Sequence, residues 1–148
     1  MGETPALSRV LVVDDDDDHL LMLAVLLEAS GYEVLTAASC ATGRAILAVE
    51  SVDALIADYS LGDGTAIDLV RELGERRPRV SLVLSGFDGD DDIEKSLAAG
   101  FDAHLVKPTA IDLLRETLAQ ALRRPSGMRI APAARHVASE ASVSPRRR

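Results

Sequence analysis

The 148 residues include 24 acidic and 16 basic side chains, and 47% of them are hydrophobic, which is enough to form the core of one ordinary domain. The longest uninterrupted apolar run, residues 20–27, is too short to span a bilayer, and the N-terminus lacks the pattern of a signal peptide. The lone Cys40 cannot form an internal disulfide, so we expect a cytoplasmic protein without a membrane association.

Charge is distributed unevenly along the chain. Residues 1–120 hold 23 acidic and 9 basic side chains, whereas residues 121–148 hold seven Arg and one Glu. An acidic globular part repels a phosphate backbone and is suited to holding cations, so we expect no direct binding of nucleic acid. No helix-turn-helix pattern follows residue 123. Residues 124–148 lack periodicity and are predicted to form a disordered basic tail.

The chain holds five short β-type runs, and most of them are continuous and apolar, which is typical of strands that are covered on both faces. Five helical patterns alternate with them, which predicts an α/β domain with a parallel sheet and helices on both sides. The predicted strands are residues 10–13, 32–36, 54–57, 81–84 and 103–106. The predicted helices are residues 19–30, 41–50, 66–77, 90–99 and 110–123. These elements form one domain over residues 8–123, preceded by an N-terminal extension over residues 1–7.

Several helix ends carry recognisable signals. Gly31 and Gly100 each follow a predicted helix, as a C-terminal cap does. Thr65 and Thr109 each stand three residues before an Asp, which is the spacing of a capping box at a helix start. The run of acids from Asp16 to Asp18 is predicted to be a solvated turn or the beginning of the first helix.

The first helix has apolar residues on more than one side. One set has the spacing of a stripe that faces the sheet, namely Leu20, Leu23, Ala24 and Leu27. A second set lies elsewhere around the helix, namely Leu21, Met22, Val25 and Leu26. Two alternatives remain open for the second set: neighbouring helices cover it, or it forms a docking patch for the helices of a partner.

Polar side chains stand where four of the predicted strands end. Asp14 and Asp15 follow the first strand, Asp58 the third, Ser85 the fourth and Lys107 the fifth. In open parallel sheets ligands collect beyond the carboxyl ends of the strands, so these side chains are predicted to converge.

The converging groups suit phosphoryl chemistry. Three neighbouring carboxylates repel one another and need a cation, and oxygen ligands favour a hard ion such as Mg²⁺. An Asp carboxylate can act as a nucleophile and form an aspartyl-phosphate. Lys107 supplies a charge and Ser85 a hydroxyl donor for phosphoryl oxygens.

This constellation resembles the receiver domain of response regulators in two-component signalling. The matching segments are VLVVDD, ALIADYSLGDG, LVLSG and LVKP, within residues 8–123. The resemblance implies a flavodoxin-like (βα)5 fold, a doubly wound five-stranded parallel sheet of order 2-1-3-4-5. It implies phosphoryl transfer to Asp58 from a histidine kinase or a histidine phosphotransfer protein. It also implies Mg²⁺ held by Asp15, Asp58 and the backbone carbonyl of Ser60, with Asp14 acting mainly through water.

The resemblance further implies a switch. The phosphoryl group draws the Ser85 hydroxyl inward, His104 turns into the vacated space, and a downstream protein meets the face formed by helix 4, strand 5 and helix 5. The family commonly has an aromatic residue at the positions of His104 and Thr109. Residues two beyond the acceptor and two beyond the hydroxyl, Ser60 and Phe87, control access of water, and Phe87 predicts a long-lived phosphoaspartate.

Three alternatives are kept beside the receiver. A phosphatase of the haloacid-dehalogenase type uses similar groups, but its nucleophile follows strand one in D-x-D-x-[TV], where Asp18 occupies the last place here. A calcium loop is rejected because His19 and Val25 stand where Gly and Glu are needed. An interaction module without phosphorylation and a receiver cut from a hybrid histidine kinase stay open. We expect a signalling domain rather than an enzyme with turnover.

Overall fold

The computed structural model describes residues 7–86, 90–124 and 136–138, which form six strands, five α-helices and a short 3₁₀ helix. The strands are β1 (Arg9–Val13), β2 (Glu33–Ala37), β3 (Ala54–Asp58), β4 (Val80–Ser85), β5 (Ala103–Val106) and β6 (His136–Ala138). The helices are α1 (Asp17–Ala29), α2 (Cys40–Val49), α3 (Ala66–Leu73), α4 (Asp90–Ala98) and α5 (Ile111–Arg123), and the 3₁₀ helix is Gly74–Arg76.

All neighbouring strands of the sheet are parallel, and their order is β2-β1-β3-β4-β5-β6. The first five strands therefore confirm the predicted flavodoxin-like order. Because the strands are parallel, the carboxyl ends of β1, β3, β4 and β5 lie at one edge of the sheet, where the predicted polar set is found.

The two faces of the sheet carry two separate apolar clusters. Alternate residues of each strand point to opposite faces, so Val12 and Ile56 pack with α1 and α5, whereas Leu11 and Leu55 pack with α2 and α3. The fully buried Phe101, which precedes β5, belongs to the second cluster. This double cover explains the uninterrupted apolar runs within β1 and β3, residues 10–13 and 54–57.

A sixth strand extends the sheet beyond the predicted five. His136–Ala138 pairs in parallel with β5, and His104 stands opposite His136. The prediction of a disordered tail is therefore wrong for these three residues, while residues 125–135 and 139–148 lie outside the described part of the chain. The physical reason is that α5 returns the chain to the N-terminal edge of the sheet, so the next segment can run alongside β5 and pair with its backbone.

Two helix ends differ from the prediction. Helix α3 ends at Leu73 rather than at residue 77, because Gly74 has a positive φ of 57° and the chain continues as a 3₁₀ turn. The capping box at Thr65 is confirmed, since its hydroxyl accepts from the Asp68 N–H at 3.1 Å. The capping box at Thr109 is wrong: Ala110 precedes α5, and the Thr109 hydroxyl donates to the Val106 carbonyl at 3.0 Å.

Candidate functional site

Three carboxylates meet at the carboxyl edge of the sheet. Asp14 and Asp15 follow β1 directly and Asp58 is the last residue of β3. One oxygen from each carboxylate lies within 4.8 Å of the other two. Asp14 is 1% exposed and Asp15 is exposed, so the cluster runs from the interior to solvent.

Lys107 lies beside the acceptor that the sequence predicted. Its Nζ contacts Asp58 Oδ1, and the side chains are 36% and 12% exposed. The Lys107 N–H donates to the Ser85 carbonyl at 2.7 Å, which ties the ends of β4 and β5 together. The Ser85 side chain is buried at the same edge. All five strand-end residues therefore reach one region, and the roles of Ser85 and Lys107 remain predictions.

A cavity of about 740 Å³ opens at this cluster. Its acidic side holds Asp14, Asp15 and Asp58, and Lys107 lies beside them. Its apolar side is formed between α1 and α5 and includes Met22, Leu23, Pro108, Ile111 and Leu114. The site is thus open to a partner that brings both an anionic group and apolar side chains.

The Asp58 carboxyl has a raised pKa. Burial is the largest cause, and the negative charges of Asp14 and Asp15 act in the same direction. The contact with Lys107 lowers the pKa but does not outweigh burial. The surroundings of Asp58 therefore disfavour its ionised form. A cation bound beside it would stabilise the ionised form.

This shift predicts how Asp58 affects stability. Its pKa in the folded protein lies above the ordinary value of 3.8, so the folded state binds the proton more tightly than the unfolded chain. The contribution of Asp58 to the free energy of unfolding is fully present below pH 3.8. It is lost as the pH rises through the pKa that Asp58 has in the folded protein. Without Mg²⁺, Asp58→Asn is expected to raise the melting temperature near neutral pH, and the difference should shrink towards pH 4. Calorimetry over that range in chelator checks this, and a wild type that melts above the variant at pH 7 contradicts it.

The loop after β3 is held against the cluster. The Asp63 carboxylate accepts from the Cys40 N–H at 2.9 Å and the Ala41 N–H at 3.1 Å, and these bonds lower the pKa of Asp63. Gly62 has φ +80°, and a Cβ there would lie 3.4 Å from Asp15 Oδ2. The loop that carries Ser60 thus lies beside Asp15, while coordination by the Ser60 carbonyl stays a prediction.

The predicted switch residue is already inside the domain. His104 is fully buried, and its Nδ1 lies 3.1 Å from Oγ of Ser96, a fully buried residue of α4. Any turn of His104 towards Ser85 would begin from this position and break the contact with α4. Phe87, on which the predicted phosphoryl lifetime depends, lies outside the described residues.

The first helix presents the apolar patch that the sequence left open. Leu23 and Leu27 are buried against the sheet. Leu21, Met22 and Val25 are 65%, 48% and 53% exposed, so the neighbouring helices of the described chain do not cover them, whereas Leu26 of the same set is half-buried. The docking alternative is the one that this exposure favours.

One site residue was missed from the sequence. His19 Nδ1 contacts Asp14 Oδ2 at the base of the cluster. The sequence pattern predicted that His19 begins the first helix, and it indicated no role for His19 in the site. The available signal was its spacing, since a residue in the first turn of a helix reaches back to the turn before it.

The fold and site define the class: a flavodoxin-like α/β domain with acidic side chains gathered at its carboxyl edge. Residues 10–119 match the model of the response regulator receiver domain, and the chain belongs to that family. Among relatives, the KDP operon transcriptional regulatory protein KdpE of Escherichia coli is 33% identical over 120 residues, which is 81% of this chain and 53% of that protein. The photosynthetic apparatus regulatory protein RegA of Rhodovulum sulfidophilum is 34% identical over 109 residues, 73% of this chain and 58% of that protein. The chain thus spans about half the length of these curated relatives.

Solved structures agree with this assignment. A CheY-like response regulator receiver domain protein from Methanospirillum hungatei is 31% identical with a TM-score of 0.75, covering 79% of this chain and 94% of that one. The chain is therefore a receiver domain of the two-component response regulator type, which is a signalling domain. Within the part of the chain that the structure describes, none of the helices has the length and apolar character needed to cross a membrane.

Proposed function

We propose that Asp58 accepts a phosphoryl group from a histidine kinase or a histidine phosphotransfer protein, in a reaction that depends on Mg²⁺. The observation that carries this proposal is the gathering of three carboxylate oxygens within 4.8 Å, with Lys107 in contact with Asp58. Phosphoryl transfer needs mainly positioning and charge stabilisation, and this arrangement supplies both.

The donor set fits a hard divalent cation. The three carboxylates offer oxygen ligands, and a cluster of this charge requires compensation. Asp15, Asp58 and the Ser60 carbonyl would hold Mg²⁺, and Asp14 would act through a bound water. The ion would supply charge neutralisation for the phosphoryl oxygens.

The side chains of the site have separate tasks in the transfer. An Asp58 oxygen attacks phosphorus, the bond from phosphorus to the donor's histidine nitrogen breaks, and that nitrogen leaves with the electron pair. Lys107 turns from Asp58 to a phosphoryl oxygen, which its flexible stem permits. The Ser85 hydroxyl donates to another phosphoryl oxygen.

The output follows from the same edge of the sheet. Drawing Ser85 inward opens space that His104 enters, which alters the α4–β5–α5 face for a downstream protein. The exposed residues of α1, together with the cavity beside them, receive the phosphodonor. We place this chemistry in the cytoplasm, on a domain of residues 8–123, without direct contact to nucleic acid or a membrane, and with a long-lived phosphoaspartate.

The test is exposure of the purified chain to a small acyl phosphate with Mg²⁺, followed by intact mass measurement. One added phosphoryl group is expected, and a chelator should prevent its addition. Mapping of the modified peptide should place it in β3. A chain that stays unmodified, or that turns over a phosphate ester many times as a phosphatase does, contradicts the proposal.

A further inference from the structure

The Asp14 carboxylate is held at both of its oxygens. Oδ1 accepts from the Asp16 N–H at 2.9 Å, and Oδ2 contacts Nδ1 of His19. Asp14 is 1% exposed, so solvent does not compete strongly for these positions. A carboxylate bonded on both sides has a fixed plane, and its remaining lone pairs point in fixed directions.

The helix start fixes the position of His19 itself. Asp16 is the N-cap of α1, and its Oδ1 accepts from the Asp18 N–H at 3.1 Å and the His19 N–H at 3.3 Å. The His19 backbone is therefore set by the first turn of the helix, and its ring by Asp14. Together these bonds form a closed turn between β1 and α1.

The two less exposed acids of the cluster each contact one basic side chain. Asp58 contacts Lys107 beyond β5, and Asp14 contacts His19 on α1. The proposed transfer takes Lys107 away from Asp58 and towards the phosphoryl group. His19 has no such second task, so it can keep Asp14 in place before and after transfer.

We propose that His19 is a positioning residue, which orients the Asp14 carboxylate for the water bound to the divalent cation. The inference rests on the proposed Mg²⁺ site. Carboxylates around metals are commonly oriented by an outer hydrogen-bond donor, and removing such a donor weakens metal binding by about 10- to 100-fold. His19 supplies this donor through an Nδ1–H that faces Asp14.

The test is the dissociation constant for Mg²⁺ alone, measured from backbone amide shifts of the full chain in a titration. His19→Leu is expected to bind Mg²⁺ about tenfold more weakly. His19→Asn should restore most of the affinity because its amide nitrogen stands close to the place of Nδ1, whereas His19→Gln, which mimics Nε2, should not. Val49→Leu changes an exposed side chain at the end of α2, outside the cavity at the cluster, and is the control with unchanged affinity. The melting temperature in chelator identifies any variant that loses its fold.

Unchanged or tighter Mg²⁺ binding by a folded His19→Leu overturns the inference, since tighter binding means that His19 competes with the ion. A loss that His19→Asn does not recover also overturns it. Phosphoryl acceptance is scored separately on wild type. A wild type that binds Mg²⁺ but takes no phosphoryl group contradicts the proposed function and leaves the result for His19 standing.

Discussion

Replacing Asp58 by Asn is expected to abolish phosphoryl acceptance. The amide has nearly the size of the carboxylate, so the packing at the end of β3 is kept, but it lacks a nucleophilic oxygen anion. Asp14 and Asp15 do not replace it, because Asp14 is buried and bonded at both oxygens and Asp15 lies on the solvent side of the cluster. Intact mass after exposure to acyl phosphate and Mg²⁺ should show no added phosphoryl group.

The matched control for this variant stands at the other end of the same strand. Asp53 precedes β3, and its Oδ2 accepts from the Arg9 N–H at 2.8 Å, far from the cluster. Asp53→Asn removes the same charge and should keep wild-type acceptance. Phosphorylation of Asp58→Asn at the wild-type level would show that another residue is the acceptor and would contradict the proposed function.

Replacing Lys107 by Ala is expected to slow phosphorylation by about 100-fold or more. Lys107 is the ammonium that contacts Asp58, and removing one preorganised donor to a developing charge commonly costs 10²- to 10³-fold in rate. Lys107→Arg should recover little, because a planar guanidinium does not place a compact charge at the same point. The rate constant at saturating Mg²⁺ and acyl phosphate is the quantity to measure.

Mg²⁺ affinity separates the role of Lys107 from that of His19. Since the Lys107 ammonium occupies Asp58 in the absence of an ion, Lys107→Ala should bind Mg²⁺ at least as tightly as wild type while it reacts slowly. Lys95→Ala, which removes an exposed lysine of α4, is the control and should match wild type in both measurements. A rate within twofold of wild type for Lys107→Ala shows that the ammonium is not needed for transfer.

The sequence predicted the sheet and its polar edge well, because both depend on local patterns. Strands covered on both faces are mostly apolar along their length, and the carboxyl ends of parallel strands lie at one edge of the sheet. Asp14, Asp15 and Asp58 could therefore be brought together without coordinates. The same reasoning placed Lys107 at this edge, whereas its contact with Asp58 is known only from the structure.

The missed features depend on side-chain direction and on tertiary competition. Thr65 and Thr109 have the same spacing to an Asp, but only Thr65 caps its helix. Helix α5 begins one residue later than that spacing implies, with Ala110 as its N-cap, and the Thr109 hydroxyl donates to the Val106 carbonyl. His19 was missed because its ring direction decides whether it meets Asp14. The sequence pattern does not predict which of two nearby groups a hydroxyl or an imidazole will hydrogen-bond.

The pairing of His136–Ala138 with β5 changes what the sheet offers to other chains. An exposed edge strand presents unpaired backbone N–H and C=O groups, with which a strand of another chain can pair. Proteins usually protect such edges. Here residues 136–138 of the same chain pair with these groups of β5, next to His104. A strand of another chain can pair with β5 only by displacing this segment. A protein shortened before residue 136 would therefore associate more readily with other chains through the edge of β5.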